Sequence, residues 1–146
     1  MTTDLQAMIM SQEGTGPMHN GRFFPYVDTV GKTTIGFGRN LDAKGLSADE
    51  AQILLNADLA DAIEDVRHVF SCYDQLSRPR QLVLLSMAYN LGRVGLGKWP
   101  RFISAVHLGK YDEAADHLLD SLAAKQAAGR YRQLAEMMRT DTSEWV

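Results

Sequence analysis

The stretch SADEAQILLNADLADAIEDVRHVF, Ser47 to Phe70, keeps a single hydrophobic period over the length of a long helix. Ala51, Leu54, Leu55, Leu59, Ile63, Val66 and Phe70 recur at the three- and four-residue intervals that line up side chains on one helical face. Ser47 followed by Glu50 forms a capping box, in which the hydroxyl takes a first-turn amide and the carboxylate reaches back to the cap. At about 1.5 Å per residue the helix extends over roughly 30 Å, enough to connect two lobes. Asp49, Glu50, Asp58, Asp61, Glu64 and Asp65 face Arg67 alone, which reads as a solvated outer face because carboxylates rarely bury without partners.

Toward the N-terminus, Thr3 and Gln6 predict a capped short helix with Leu5, Met8 and Ile9 on one side and Gly14 ending it just after Glu13. The segment from Gly14 to Arg39 is rich in glycine, with Pro17, Asn20 and Pro25 among the residues that helix interiors avoid. Phe23 to Val27 and Thr33 to Phe37 are β-prone runs flanking the turn Asp28-Thr29-Val30-Gly31-Lys32, so they predict a hairpin. Pro25, which has no amide to donate, makes the first strand an edge strand or interrupts it.

On the other side, Ser77-Arg78-Pro79-Arg80-Gln81 opens a helix whose Leu82, Val83, Leu84, Leu85, Met87, Ala88, Tyr89 and Leu91 make it apolar nearly all round. It belongs at the centre of a helical core, where each fully buried leucine contributes about 1.5–3 kcal/mol. Gly92 stops it, and shorter helices are expected around 102–108, 112–122 and 130–138. The expected class is α+β, predominantly helical, in one domain: a hairpin-bearing N-terminal lobe at about 1–46, a connecting helix at about 47–71 and a helical lobe at about 72–146.

The 146 residues suffice for a core without staples. Cys72, the only cysteine, cannot form an internal disulfide, which fits folding in a reducing cytoplasm; it follows the apolar run 66–70 with no base nearby, so it is no nucleophile. Four scattered histidines lack metal-site spacing, and Gly36-Phe37-Gly38 has no phosphate-loop continuation, so neither metal nor cofactor is expected. Arg130, Arg132 and Arg139 are interrupted by Glu136 and Asp141 in a chain of pI 5.7, which argues against nucleic acid. No run approaches the roughly 20 apolar residues of a membrane span, and Met1 to Glu13 lacks the basic start of a signal peptide, so no stable membrane insertion is expected. The net charge of −3 is concentrated in 47–70; the rest carries 14 basic and 12 acidic side chains, a balance compatible with an anionic substrate. Trp99 and Trp145 are read as packing residues; Phe23, Phe24 and Tyr26 are the alternatives for an aromatic that stacks on a sugar ring, with none singled out.

Two carboxyls in different settings suit cleavage of a glycosidic bond, which needs a proton for the leaving oxygen and an anion or activated water opposite. Glu13, at a helix end and a lobe boundary, is expected to be withdrawn from water and to act as the acid; Asp28, in a turn with free amides, is the second carboxylate. Thr34 adds a hydroxyl that can hold a water molecule.

Glu13, Pro25-Tyr26-Val27-Asp28-Thr29-Val30-Gly31 and Thr34-Ile35-Gly36-Phe37-Gly38, followed by Met87-Ala88-Tyr89-Asn90-Leu91-Gly92, Asp112-Glu113-Ala114-Ala115 and the segment from Arg139 to Trp145, together resemble the phage-type lysozymes of glycoside hydrolase family 24, the T-even bacteriophage kind. The resemblance covers nearly the whole chain in order. It implies a lysozyme-like fold and a muramidase that cuts the β-1,4 bond between N-acetylmuramic acid and N-acetylglucosamine in bacterial peptidoglycan, with inversion at the anomeric carbon. Glu13 then falls on the family's general acid, Asp28 on its second carboxylate, Thr34 on the threonine that positions the water, and Arg130 on an arginine that supports the acid. The implied setting is a monomeric endolysin made in the host cytoplasm and released to the wall or periplasm by a holin-like partner. The alternative is a non-catalytic peptidoglycan-binding or phage structural domain that keeps the fold.

Two departures stand out. Between Glu13 and Asp28 lie 14 residues where the family has about eight, which puts an insertion in Gly14 to Phe23 and suggests a loop on the rim of the site. Arg39 stands where histidine is common in the family, which alters the local ion pairing.

Overall fold

Thr3 opens the part of the computed structural model that describes residues 3–143. The chain divides into two compact units, 1–53 and 54–146.

In the first unit the predicted capping box forms: the Gln6 amide donates to Thr3 Oγ1 at 3.1 Å and the Thr3 amide to Gln6 Oε1 at 2.7 Å. It starts α1 (Asp4–Glu13), which ends at Gly14, whose φ of +69° suits glycine and whose amide returns to the Met10 carbonyl. The expected buried stripe is absent. Leu5, Met8 and Ile9 are all exposed, and Met10 adds apolar surface on another side of the helix.

The chain then builds two small antiparallel sheets. β1 (Met18–His19) and β2 (Arg22–Phe23) pair with Met18 opposite Phe23 and His19 opposite Arg22. The connection is Asn20-Gly21 with φ of +50° and +73°, the pair of left-handed residues that a type I′ turn requires. A loop was expected here from Gly14 to Phe23; the segment is instead a hairpin, closed by the Phe24 amide donating to the Pro17 carbonyl at 3.0 Å. The second sheet has the order β3 (Tyr26–Val27), β4 (Thr33–Ile35), β5 (Arg39–Asn40). Tyr26 pairs with Thr34 and Val27 with Thr33, so the predicted hairpin forms with shorter strands. The run Phe23–Val27 splits between the two sheets on either side of Phe24-Pro25, as a residue without an amide hydrogen dictates.

Asn40 caps a one-turn helix, α2 (Leu41–Lys44), and Asp42 Oδ2 accepts the Thr33 amide at 2.8 Å, tying that turn to β4. Ser47 and Glu50 make their capping box reciprocally and start α3 (Ala48–Val69), which runs on into the second unit.

Of the apolar stripe predicted along α3, only Val66 and the following Phe70 are buried, whereas Ala51, Leu54, Leu55, Leu59 and Ile63 are exposed; Ala62, which the stripe did not include, is buried beside Val66. A short 3-10 turn (Tyr73–Gln75) leads to α4 (Arg78–Leu96), with Pro79 in its first turn and Val83, Leu84, Met87 and Ala88 fully enclosed. Gly92 breaks the helical geometry (φ +69°, ψ 177°), but the chain resumes helix beyond it instead of stopping. Then come α5 (Pro100–His107), α6 (Tyr111–Leu119), α7 (Leu122–Gln126) and α8 (Ala128–Thr140). α7 was not expected as a separate element; the Ser121 hydroxyl caps it by accepting the Ala124 amide at 3.0 Å.

Phe70, Phe102, Leu84, Met87, Leu96, Leu118 and Met138 are the largest enclosed side chains of this helical unit. Trp99 packs there, stacked on Tyr131 and edge-on to Phe102, as a structural residue. Arg80 staples three elements: its guanidinium lies 3.6 Å from the centre of the Tyr111 ring, its Nε donates to the Met138 carbonyl at 2.9 Å, and its Nη1 sits 3.8 Å from Asp141. Asp141, the left-handed residue that ends α8, also accepts a hydrogen bond from the Ser77 hydroxyl at the start of α4. Glu144 and Trp145 lie outside the described residues.

Candidate active site

The turn between β3 and β4 is closed between two residues, Asp28 and Lys32. The Asp28 amide donates to the Lys32 carbonyl at 2.9 Å, and Asp28 Oδ1 accepts the amides of Val30 (3.0 Å) and Lys32 (2.8 Å). Gly31, at φ +83°, supplies the left-handed residue on which this turn depends. Thr34 is buried, only 3% exposed, and its hydroxyl donates to the same Lys32 carbonyl at 3.0 Å. Asp28 and Thr34 are thereby fixed to one another through the backbone of Lys32. With Oδ1 engaged in the turn, Asp28 Oδ2 accepts no hydrogen bond among the described residues.

Glu13 is the last residue of α1 and is exposed, so the withdrawal from water expected for it is not found. Its carboxyl rests against Gly38: a β-carbon on that glycine would stand 2.9 Å from Oε2 and 3.2 Å from Cδ. Gly38 itself has φ +85°. Gly16 makes a similar close approach, since a β-carbon there would meet the Tyr26 ring at 2.3 Å. Glu13, Asp28 and Thr34 all belong to the first unit, whereas Arg130, exposed on the first turn of α8, belongs to the second.

Arg39 has a definite task. Its guanidinium pairs with Glu50 and donates to the Gly45 carbonyl at 3.1 Å, bracing β5 against the first turn of α3. The hydrogen bond from Arg39, helped by the amide and hydroxyl of Ser47, holds the Glu50 carboxyl down to about 2; the same bond raises the Arg39 pKa.

Three features escaped the sequence reading. Asn20-Gly21 carried a hairpin signal that was absorbed into a loop, Arg39 and Glu50 sit 11 residues apart with no motif to join them, and the approach of Gly38 to Glu13 is a matter of packing alone. Cys72 is half-buried, and burial pushes its thiol pKa up, away from a reactive thiolate. A hollow of about 630 Å³ in the second unit, lined by Leu91, Trp99, Phe102, His117 and Leu122 among others, includes none of Glu13, Asp28 and Thr34. Among the described residues no cluster of three or more His, Cys, Asp or Glu side chains is placed to hold a metal ion, and no helix is long and apolar enough to cross a membrane.

The family described as phage lysozyme matches residues 18–139. The chain belongs to the phage lysozyme family. The matched span takes in Asp28, Thr34 and Arg130 and begins five residues after Glu13. A relative with a different printed role is the pre-baseplate central spike protein Gp5 of Enterobacteria phage T4, 28% identical over 102 residues, which are 68% of this chain and 18% of that protein. The chain thus spans under a fifth of that relative's length. The predominantly helical α+β architecture, with eight α-helices and two small antiparallel sheets among the described residues, agrees with the lysozyme-like fold.

Proposed function

We propose that residues 1–146 act as one lysozyme-like catalytic domain that hydrolyses the β-1,4 bond between N-acetylmuramic acid and N-acetylglucosamine. Its parts are an N-terminal lobe at about 1–46, a connecting helix at about 47–71 and a helical lobe at about 72–146. The observation that carries the reading is the tie of Asp28 and Thr34 to the backbone of a single residue, Lys32, within the family-matched span. Such a tie holds a carboxylate and a hydroxyl in fixed relation, which a two-group water site requires.

In this reading Glu13 gives its proton to the glycosidic oxygen as the C1–O4 bond breaks. A water molecule attacks C1 from the opposite face and passes its proton to Asp28 through Oδ2, giving inversion in one displacement. The proton of the Thr34 hydroxyl is already committed to the Lys32 carbonyl, so Thr34 meets the water as an acceptor and turns the water's lone pair toward carbon. Arg130, in the second unit, is kept as a supporting residue on the family resemblance alone. No metal or cofactor takes part. The enzyme works as a monomeric endolysin, made in the host cytoplasm and admitted to the wall or periplasm by a holin-like partner.

A second reading, a non-catalytic peptidoglycan-binding or phage structural domain, is favoured by the likeness to a central spike protein. Digestion of isolated peptidoglycan with the wild type and with Glu13→Gln, followed by mass spectrometry, separates the two. Fragments with hydrolysed N-acetylmuramic acid ends, absent with the variant, uphold the muramidase. Anhydro ends replace it with a lytic transglycosylase, and no fragments from folded wild-type protein favour the binding domain.

A further inference from the structure

The extra hairpin formed by β1 and β2 is held to its unit at both ends, and each point of attachment adjoins a proposed site residue. At its start, Gly16 lies so close over the Tyr26 ring that no side chain fits between them, and Tyr26 is two residues before Asp28. At its end, Phe23 meets Phe37 in an edge-to-face contact with ring centres 5.2 Å apart. Phe37 precedes Gly38, and Gly38 is the residue against which the Glu13 carboxyl rests. Phe24, the next residue, instead contacts His19, with ring centres 6.5 Å apart. The two phenylalanines therefore make separate contacts, and only that of Phe23 leads to Glu13.

We infer that Phe23 is a positioning residue for Glu13: through Phe37 it holds the Gly36-Phe37-Gly38 turn in the place that fixes the Glu13 carboxyl. The inference rests on the muramidase reading for its meaning in turnover, but the contact chain Phe23, Phe37, Gly38, Glu13 is independent of it. The pairing of Ile35 with Arg39 closes the turn's backbone, and the Phe23–Phe37 contact, at 37% and 39% exposure, is the aromatic contact that bears on it from the hairpin side. An edge-to-face pair has a preferred geometry, and it gives the turn an orientation that simple apolar contact lacks. A displacement of about 1 Å at a reacting group is enough to lower turnover substantially.

The test compares wild type, Phe23→Ala, Phe23→Tyr and, as a control on the other contact, Phe24→Ala, all in the full chain and all checked for wild-type circular dichroism. Two readouts are taken: kcat and KM on peptidoglycan fragments, and the NMR resonances of the Glu13 side-chain carboxyl carbon and the Gly38 amide. The expected result is a fall in kcat on the order of tenfold in Phe23→Ala with KM within about twofold, shifted Glu13 and Gly38 resonances, and recovery of both in Phe23→Tyr, which keeps the ring. Phe24→Ala leaves the Glu13 and Gly38 resonances at wild-type values, which is the readout this control is used for. A raised KM with unchanged kcat and unchanged resonances would make Phe23 a sugar platform and overturn the positioning role, as would resonances that do not move at all. If Phe23→Ala does not fold, Phe23→Leu takes its place, with the same two readouts and the same outcomes. If the wild type proves inactive, the muramidase reading fails, while the resonances still decide whether Phe23 positions Glu13.

Discussion

Glu13 rests its carboxyl against the bare α-carbon of Gly38, so close that a methyl group there would stand 2.9 Å from Oε2. Gly38 also has φ +85°, where a side chain is strained even in open space. Gly38→Ala is therefore expected to cost about 1 kcal/mol or more of stability and to displace the carboxyl, lowering turnover by roughly tenfold to a hundredfold. Urea titration and turnover, measured side by side, check this; wild-type turnover in the variant would show that the contact does not position Glu13.

Glu13→Gln is expected to lower turnover by about two to four orders of magnitude, because an amide of the same shape cannot supply the proton. The side chain is exposed, so stability should stay within about 0.5 kcal/mol. Retained turnover would move the acid's role to another residue.

Asp28→Asn keeps an oxygen that can accept the Val30 and Lys32 amides, so the turn should persist. Turnover falls while binding of peptidoglycan fragments is retained, and a titration by calorimetry in a Glu13→Gln background reads the binding separately from the chemistry. A large loss of affinity would recast Asp28 as a binding group.

The pairing of Arg39 with Glu50 gives a pH signature. The Glu50 carboxyl is held down to about 2 from its ordinary value of 4.5, so the folded state binds its proton less readily than the unfolded chain does. Its stabilisation is complete above pH 4.5 and is lost as pH falls from there to about 2. In Glu50→Gln, the Tm deficit relative to wild type should be present at pH 6 and shrink toward pH 2. A deficit that stays constant across this range would show that the ion pair is not its source.

Arg80→Lys should destabilise the helical unit by about 1–2 kcal/mol, since a point charge cannot both lie flat on Tyr111 and reach the Met138 carbonyl. Urea unfolding checks the magnitude; a neutral result would mean that the stacked geometry adds nothing beyond charge.

The sequence was most legible where a local rule had a single solution. Thr3 with Gln6 and Ser47 with Glu50 became capping boxes, and the hydrophobic run from Leu82 became the central helix, because caps and periodicity depend on near neighbours. Reading failed where burial depends on distant partners. Leu5 and Leu54 follow helical spacing, as Val66 does, yet only Val66 is enclosed. Gly92 has the backbone of a helix end, but the residues after it can form another helix and do so. At the candidate site, Asp28 and Thr34 could be placed on their hairpin from the sequence, whereas the exposure of Glu13 and its seat on Gly38 could not, since periodicity does not determine which backbone approaches a side chain.

The Ser77 hydroxyl and Asp141 join the residue just before α4 to the residue just past α8, 64 positions apart. A helix held only by its apolar face would fray at its last turn, and its closing amides would exchange with solvent earliest. With Asp141 clasped to both Ser77 and Arg80, the final turn of α8 is the seam of a closed loop. Its amides should exchange with deuterium at the rate of the enclosed Leu84 segment, and the helical unit should open all at once instead of fraying from that turn.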